Sequence, residues 1–238
     1  MNASSPTWID RVVIDDDIVA RFPAYRVVLV AAIGVGTEAL SPVVDELVER
    51  ANAVANGWTP DAPASFDHLE RWREAYRSFG ANPRRTRVSV EALLRRAAQS
   101  GLPRIGPLVD LYNAISVIHG VPIGGEDLAH YQGAARLHLA TGDEAFHTTD
   151  NGEAVVEHPE AGEPVWTDDL GVTCRRWNWR QTNRTAITDD TVDAGFIIDS
   201  LDAPDHAGAH AAADHLVQVL QPLSRSLAFS SRPEMTTC

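Results

Sequence analysis

Lysine is absent from the sequence, and all 20 basic residues are arginine. Acidic residues number 33, so the formal net charge is −13. A protein that coats nucleic acid nonspecifically needs a basic face, because its phosphate contacts come from lysine and arginine. The composition therefore argues against such a coat, and we expect no DNA partner. It leaves room for a local arginine patch.

Cysteine and long apolar runs are also scarce. The two cysteines, Cys174 and Cys238, are too few for a disulfide framework or a cysteine metal site. No run approaches the roughly 20 apolar residues of a membrane-spanning helix, so we expect no membrane partner. The first 17 residues are acidic and lack a basic and then apolar leader. We therefore expect no signal peptide and a cytoplasmic protein.

Several motifs of enzymes are missing as well. Gly34-Val35-Gly36 follows an apolar run but lacks the third glycine of a dinucleotide-binding loop. No Gly-x-Ser-x-Gly occurs, and neither cysteine lies in a nucleophile motif. His206, His210 and Asp214 have helical spacing, but no third strong metal ligand accompanies them. We expect no cofactor and no metal, and a hydrolase of this kind would position water rather than attack covalently.

The order of periodic segments predicts the fold class. Tyr25–Ile33 is a valine-rich apolar run typical of a buried strand. Helical patterns dominate up to residue 119, and short strand patterns dominate from 135 to 201. The sequence therefore predicts a single α+β domain, with mixed β-sheets covered by helices. We place this domain at residues 25–222, between an N-terminal extension (1–24) and a frayed C-terminal tail (223–238). Predicted helices begin at Ser41, Asp67, Ser89, Pro107 and Asp205, with Ser41 and Ser89 as caps. Predicted strands after 140 are 145–147, 154–157, 164–166, 172–176, 186–188 and 194–201.

The segment Ile105–Leu128 combines a very apolar helix with a glycine-rich turn. Pro107 suits the first helical turn, and Gly120 can end the helix. Asp110, Asn113 and Ser116 form a polar stripe on this helix, and buried polar groups need hydrogen bonds. The stripe therefore either braces a neighbouring loop or faces a pocket. Residues 121–125 are read as a turn that lets backbone approach another group closely.

A second segment, 175–185, contains four arginines, two tryptophans and two asparagines. Tryptophan offers stacking faces, and arginine offers a planar fork for phosphate or carboxylate. A segment that alternates these two residue types is suited to bind the unstacked bases and phosphates of a single-stranded RNA end. In a second interpretation, the tryptophans pack into the core at a sheet edge and the arginines pair with carboxylates. We favour a binding site built from Arg175, Arg176, Trp177, Asn178, Trp179 and Arg180.

Taken together, these motifs resemble a known family. Val109-Asp110-x-x-Asn113, Gly120-x-Pro122 and Asp127 follow the order and spacing found in the phenylalanyl-tRNA synthetase beta subunit. The similar part of that subunit is its editing domain, built from the third and fourth modules. The resemblance covers roughly residues 25–205, and the helix after Ser89 looks more like free-standing relatives of that domain.

The resemblance implies a protein that binds the aminoacylated end of tRNA, or a small aminoacylated ligand, and hydrolyses a misacylated ester. By position, Pro122, Gly124 and Gly125 would line the substrate pocket beside Asp127. Asn113 and Asp199 would be the catalytic candidates, with Asp199 at the place of a glutamate that contacts the amino acid. The chain departs from the family at Gly124, where the synthetase domain has histidine, and at Tyr112, where it has threonine. A module that keeps the pocket for a small molecule or RNA without hydrolysis is the alternative.

Overall fold

A computed structural model describes residues 8–59, 68–150, 152–201 and 206–232. These residues form six α-helices: α1 (Asp16–Arg21), α2 (Ser41–Gly57), α3 (His68–Ser78), α4 (Ser89–Ser100), α5 (Pro107–His119) and α6 (Ala207–Leu220). Strands in the same ranges are β1 (Val13–Ile14), β2 (Arg26–Ile33), β3 (Ile123–Asp127), β4 (Arg136–Leu139), β5 (Phe146–Asp150), β6 (Glu153–Glu157), β7 (Pro164–Asp168), β8 (Gly171–Arg175), β9 (Arg180–Gln181), β10 (Asp193–Ser200) and β11 (Ser226–Arg232). Short 3₁₀ helices cover Ile9–Arg11, Thr37–Ala39 and Gln221–Leu223.

The apolar run after Tyr25 forms the centre of a four-stranded antiparallel sheet, in the order β11-β2-β10-β3. Side chains on both faces of β2 are buried from Val27 to Ala32. That pattern explains the continuous apolar sequence, since a strand covered on both sides has no solvent face. Helix α6 packs on β2 and β10, and α5 packs beside it on β3.

The second sheet has five strands in the order β1-β4-β7-β8-β9. It is mixed, because β1 pairs in parallel with β4 while the other pairs are antiparallel. The hairpin β5-β6 packs against β8. One continuous core joins both larger sheets and the helices. The predicted single α+β domain with mixed sheets and covering helices is confirmed.

Local details differ from the sequence prediction in three places. Ser41 and Ser89 were predicted as helix caps, but each is the first residue inside its helix and makes no capping hydrogen bond. The predicted strand at 186–188 is only an isolated bridge between Ala186 and Glu126. The predicted glycine turn at 121–125 is wrong in its second half, because Ile123–Asp127 pairs with β10 as strand β3. The predicted helix end at Gly120 is confirmed by its left-handed conformation, φ 66°.

The segments predicted to flank the domain take part in the same core. Trp8, Ile9 and Ile18 are buried in it, although they precede residue 25. Ser226–Arg232 forms an edge strand on β2, so the predicted fraying is wrong over those residues. Packing thus extends beyond both proposed boundaries, 25 and 222, which themselves stay predictions. Residues 1–7, 60–67, 202–205 and 233–238, including Cys238 and the predicted helix start at Asp205, lie outside the described residues.

Candidate functional site

A cavity of about 340 Å³ lies where the two larger sheets approach each other. Strands β3 and β10 form its floor, the turn between β8 and β9 forms one wall, and α4 and α5 close the sides. Alternation along β10 puts Ile197 and Asp199 on one face of the sheet. The register then places Gly124 opposite Ile197, on the same face. Seven predicted site residues line this cavity: Asn113, Gly124, Trp177, Asn178, Trp179, Arg180 and Asp199.

Asp199 is the most firmly held polar group of the cavity. It is 1% exposed, and its carboxylate accepts hydrogen bonds from Tyr25 Oη at 2.7 Å and Asn178 Nδ2 at 3.1 Å. Tyr76 Oη donates to Asn178 Oδ1 at 2.9 Å, which fixes the orientation of that amide. Burial raises the pKa of Asp199 to about 7, and the two hydrogen bonds act in the opposite direction. A carboxyl group with this pKa can exchange a proton with water near neutral pH.

The two adjacent glycines of β3 face opposite sides of the sheet. A Cβ atom built on Gly124 would meet no atom within 4 Å, so this position opens into the cavity. A Cβ atom on Gly125 would lie 2.7 Å from both Tyr112 Cε1 and Ile187 Cδ1. Gly125 therefore lies outside the cavity lining, and its lack of a side chain permits close packing of α5 on β3.

The turn at 176–179 has an unusual backbone. Arg176 and Trp177 have positive φ angles of 46° and 69°, a conformation that costs bulky residues of order 1–3 kcal/mol each. Two contacts hold it: Trp177 N donates to Pro164 O at 2.7 Å, and the single Tyr76 hydroxyl proton is shared between Arg176 O at 2.8 Å and Asn178 Oδ1. The Trp177 ring is fully buried and also forms part of the cavity wall. It packs against the rings of Phe22, Tyr25 and Trp72.

All four arginines of this segment bind carboxylates. Arg175 pairs with Glu163 at 2.9 Å and with Glu157 at 2.8 Å, and Arg176 approaches Glu163 at 3.4 Å. Neither arginine lines the cavity. Each interpretation of the segment therefore applies in part. The arginines pair with carboxylates and Trp177 packs into the core, while residues 177–180 also line the cavity. Two other pairs complete the set, Arg180 with Glu157 at 2.9 Å and Arg184 with Asp168 at 2.7 Å.

The polar stripe on α5 likewise divides between two roles. Asp110 accepts a hydrogen bond from Ile105 N at 2.8 Å and so braces the segment before the helix. Ser116 Oγ donates to Val121 O at 2.6 Å and braces the segment after it. Asn113, between them, faces the cavity. The buried stripe therefore both braces its neighbours and contributes a polar group to the site.

Two further predicted residues support the site from outside. The carbonyl of Pro122 accepts a hydrogen bond from Asp199 N at 3.1 Å. Asp127 accepts hydrogen bonds from Thr191 Oγ1 at 2.8 Å and Ala129 N at 2.9 Å. Neither Pro122 nor Asp127 lines the cavity. Both hold the ends of β3 and β10 in place.

Glu126 also lines the cavity, although no sequence motif indicated it. Glu126 is 2% exposed, and burial raises its pKa to about 8. Its Oε2 atom has no hydrogen bond to any residue in the described ranges. Glu126 lies two residues after Gly124 on the same strand face, so a strand at 123–127 would have revealed it. Tyr112, Trp166, Cys174 and Gln181 also line the cavity.

The described parts of the chain contain no cluster of metal ligands and no helix of membrane-spanning character. No group of three or more histidine, cysteine, aspartate or glutamate residues there could hold a metal ion. Among the helices of those same ranges, none has the length and apolar character needed to cross a membrane.

Comparison with known proteins finds a matching family profile and matching solved structures. The sequence profile of a family described as the B3/4 domain matches residues 71–222, more than half of the chain. A crystal structure of an N-terminal fragment of the phenylalanyl-tRNA synthetase beta subunit from Pyrococcus horikoshii matches with a TM-score of 0.45 and 13% sequence identity. That alignment covers 94% of this chain and 55% of the fragment, so this chain spans about half of the fragment's length. No curated protein matches the sequence.

Proposed function

Because this chain belongs to the B3/4 domain family, the family of the phenylalanyl-tRNA synthetase beta subunit, we propose that it binds the aminoacylated end of a tRNA in the cavity beside Asp199. Family membership supports an RNA-related role. Binding of the aminoacyl group and hydrolysis of its ester are the further steps of the proposal. The observation that carries them is a buried carboxyl group, with a pKa of about 7, at the floor of an open cavity.

The cavity has the size and composition of a small-ligand site. Its volume of about 340 Å³ falls at the lower end of the range of about 300–1,000 Å³ for such sites. Leu93, Ile123 and Ile197 supply apolar surface for an amino-acid side chain. Apolar atoms make up most of the cavity surface, which suits a site that orients one ester rather than a highly charged ligand.

Hydrolysis in this cavity would use water as the nucleophile. Cys174 lines the cavity, but burial raises the pKa of its thiol well above the ordinary value, so the reactive thiolate is disfavoured. Ionised Asp199 would take a proton from a water molecule as the water oxygen attacks the ester carbonyl carbon. The carbon–oxygen bond to the ribose then breaks, and the ribose hydroxyl leaves with a proton.

A binding module without hydrolysis is the second candidate, and one observation favours it. Gly124 supplies no side chain at the position where the related editing domain has histidine, and the space above it is open. The cavity therefore has fewer polar groups for chemistry than the resemblance implies. In this version the same ligand binds but is not cleaved.

The decisive experiment incubates the protein with tRNAs charged with a panel of amino acids. We expect the wild type to release the amino acid at a rate that rises through pH 7, as Asp199 ionises. The Asp199→Asn variant should lose about 10²–10⁴ of that rate, the usual contribution of a general base. Binding without release by stoichiometric wild-type protein would select the non-hydrolytic candidate. If the protein neither binds these tRNAs nor releases their amino acids, the proposal is overturned.

A further inference from the structure

Next to the cavity lies a groove lined by four arginines, three of which make no ion pair with a carboxylate in the described ranges. Arg85, Arg87 and Arg96 line it together with Gln99 and Trp179. None of these three arginines makes an ion pair with a carboxylate in the described ranges. The fourth arginine of the groove, Arg95, binds Glu91, as does Arg73 outside the groove. The contrast matters in a chain with a net charge of −13, where carboxylates outnumber arginines.

Arg87 gives the most direct sign of a missing partner. Its Nε atom is buried and donates no hydrogen bond to any residue in the described ranges. A buried donor without an acceptor is unfavourable, and native proteins satisfy nearly all such groups. Three like charges around one groove also repel each other. Both costs are relieved when an anion occupies the groove.

The groove is continuous with the cavity. Trp179 and Ala92 line both of them. The segment that carries Arg85 and Arg87 is tied to the cavity wall, since Arg176 Nη1 donates to Thr86 Oγ1 at 2.6 Å. A ligand that leaves the cavity past Trp179 therefore meets the three arginines next.

We infer that this arginine groove binds the phosphodiester backbone of the single-stranded RNA end whose terminal aminoacyl group enters the cavity, an inference that rests on the proposed function. The guanidinium fork matches the geometry of phosphate oxygens. Trp179 lines both the cavity and the groove, and the Arg176 guanidinium lies 4.6 Å from the centre of its ring, so a base can stack on this aromatic and cationic pair. A free aminoacylated small molecule would fill the cavity and leave the arginines unsatisfied, so the groove favours the polymer.

The test removes two of the charges and compares two ligands. Arg85 and Arg96 are both exposed, so the double variant Arg85→Gln/Arg96→Gln should fold normally. The first probe is an RNA hairpin with a single-stranded 3′ end that carries an amide-linked amino acid. The second is the amide-linked aminoacyl-adenosine, which has no phosphate. The dissociation constants of both are measured over a range of salt concentrations.

We expect the double variant to bind the hairpin about tenfold more weakly at about 0.15 M salt, with a log–log salt slope shallower by about 1.4, or about 0.7 per lost phosphate contact. Its affinity for aminoacyl-adenosine should equal that of the wild type. The control variant Arg11→Gln/Arg50→Gln loses the same charge at two exposed arginines that line neither the groove nor the cavity. It should bind both probes normally.

Three outcomes would overturn the inference, and they separate it from the proposed function. If the wild type binds both probes equally and without salt dependence, the groove is not a phosphate site, but the cavity proposal stands. If the control variant loses as much affinity as the groove variant, the effect is bulk charge and the groove has no special role. If the wild type binds neither probe, the proposed function fails and the groove inference fails with it.

Discussion

Two neighbouring glycines allow a test of which side of β3 faces the ligand. Neither Gly124 nor Gly125 has a positive φ, so alanine fits the backbone at both positions. At Gly125 the new methyl group would lie 2.7 Å from Tyr112 and Ile187 carbons, compared with the preferred contact of about 3.5–4.0 Å. Overpacking of this kind costs about 1–3 kcal/mol. We therefore expect Gly125→Ala to lower the free energy of unfolding by that amount.

At Gly124 the same change should be harmless, because a Cβ atom there meets nothing within 4 Å. Replacing a strand glycine by alanine reduces the entropy of the unfolded chain, which is worth about 0.5–1 kcal/mol. Gly124→Ala should therefore be as stable as the wild type or slightly more stable. Gly124→Leu places a larger side chain in the cavity, so it should keep the fold but weaken binding of aminoacyl-adenosine at least tenfold.

Urea unfolding gives the free energies, and isothermal titration with amide-linked aminoacyl-adenosine gives the affinities. Gly124→Ala is the matched control for Gly125→Ala, since both add one methyl group to the same strand. A Gly125→Ala variant as stable as the wild type would refute the packing argument. Normal ligand affinity in Gly124→Leu would refute the assignment of the cavity as the binding site.

Three other predictions concern single side chains. Because burial raises the pKa of Asp199 to about 7, the folded state binds one more proton than the unfolded state between about pH 4 and 7. The stability that this extra proton on Asp199 contributes is therefore fully present below about pH 4. As the pH rises from there to 7, the free energy of unfolding falls by about 1.4 kcal/mol per pH unit. Urea unfolding at pH 5, 6 and 7 should show that Asp199→Asn lacks this slope, and parallel curves would contradict it. Glu163 is 1% exposed and binds Arg175 and Arg176, while Arg175 keeps Glu157 as a second partner. Glu163→Gln should therefore cost about 1.5–3 kcal/mol, the usual contribution of hydrogen bonds to charged groups; a loss below that of the more exposed Glu157→Gln would argue against it. Trp179→Ala should weaken hairpin binding by about 1–3 kcal/mol through lost base stacking, and unchanged affinity in a titration would exclude stacking at this position.

The family and the fold class could be predicted because they depend on order and periodicity. Three local signals are confirmed by the structure: the helix that carries Val109-Asp110-x-x-Asn113, its end at Gly120 and the apolar strand after Tyr25. The predicted relationship to the synthetase beta subunit is confirmed by the family match. A single sequence is enough to recognise such features, because helix ends and buried strands are determined by residues close together in the chain.

The composition of the cavity was harder to predict because it depends on register. Residues 121–125 were predicted as a turn, and a turn does not show the alternation of a strand. The structure places Gly124 and Glu126 on one face of β3. Edge strand β11 was missed because its residues are partly polar, and its pairing partner β2 is almost 200 positions away. The partition of arginines between carboxylates and an open groove is likewise set by tertiary contacts. Composition alone could not separate Arg175 from Arg85.

We propose above that the cavity beside Asp199 holds an aminoacyl group. The most direct test is a crystal structure of the protein with amide-linked aminoacyl-adenosine at saturating concentration. We predict the amino-acid side chain above Gly124, with the amide carbonyl within one water molecule of the Asp199 carboxylate. An empty cavity, or a ligand bound away from β3 and β10, would contradict the account.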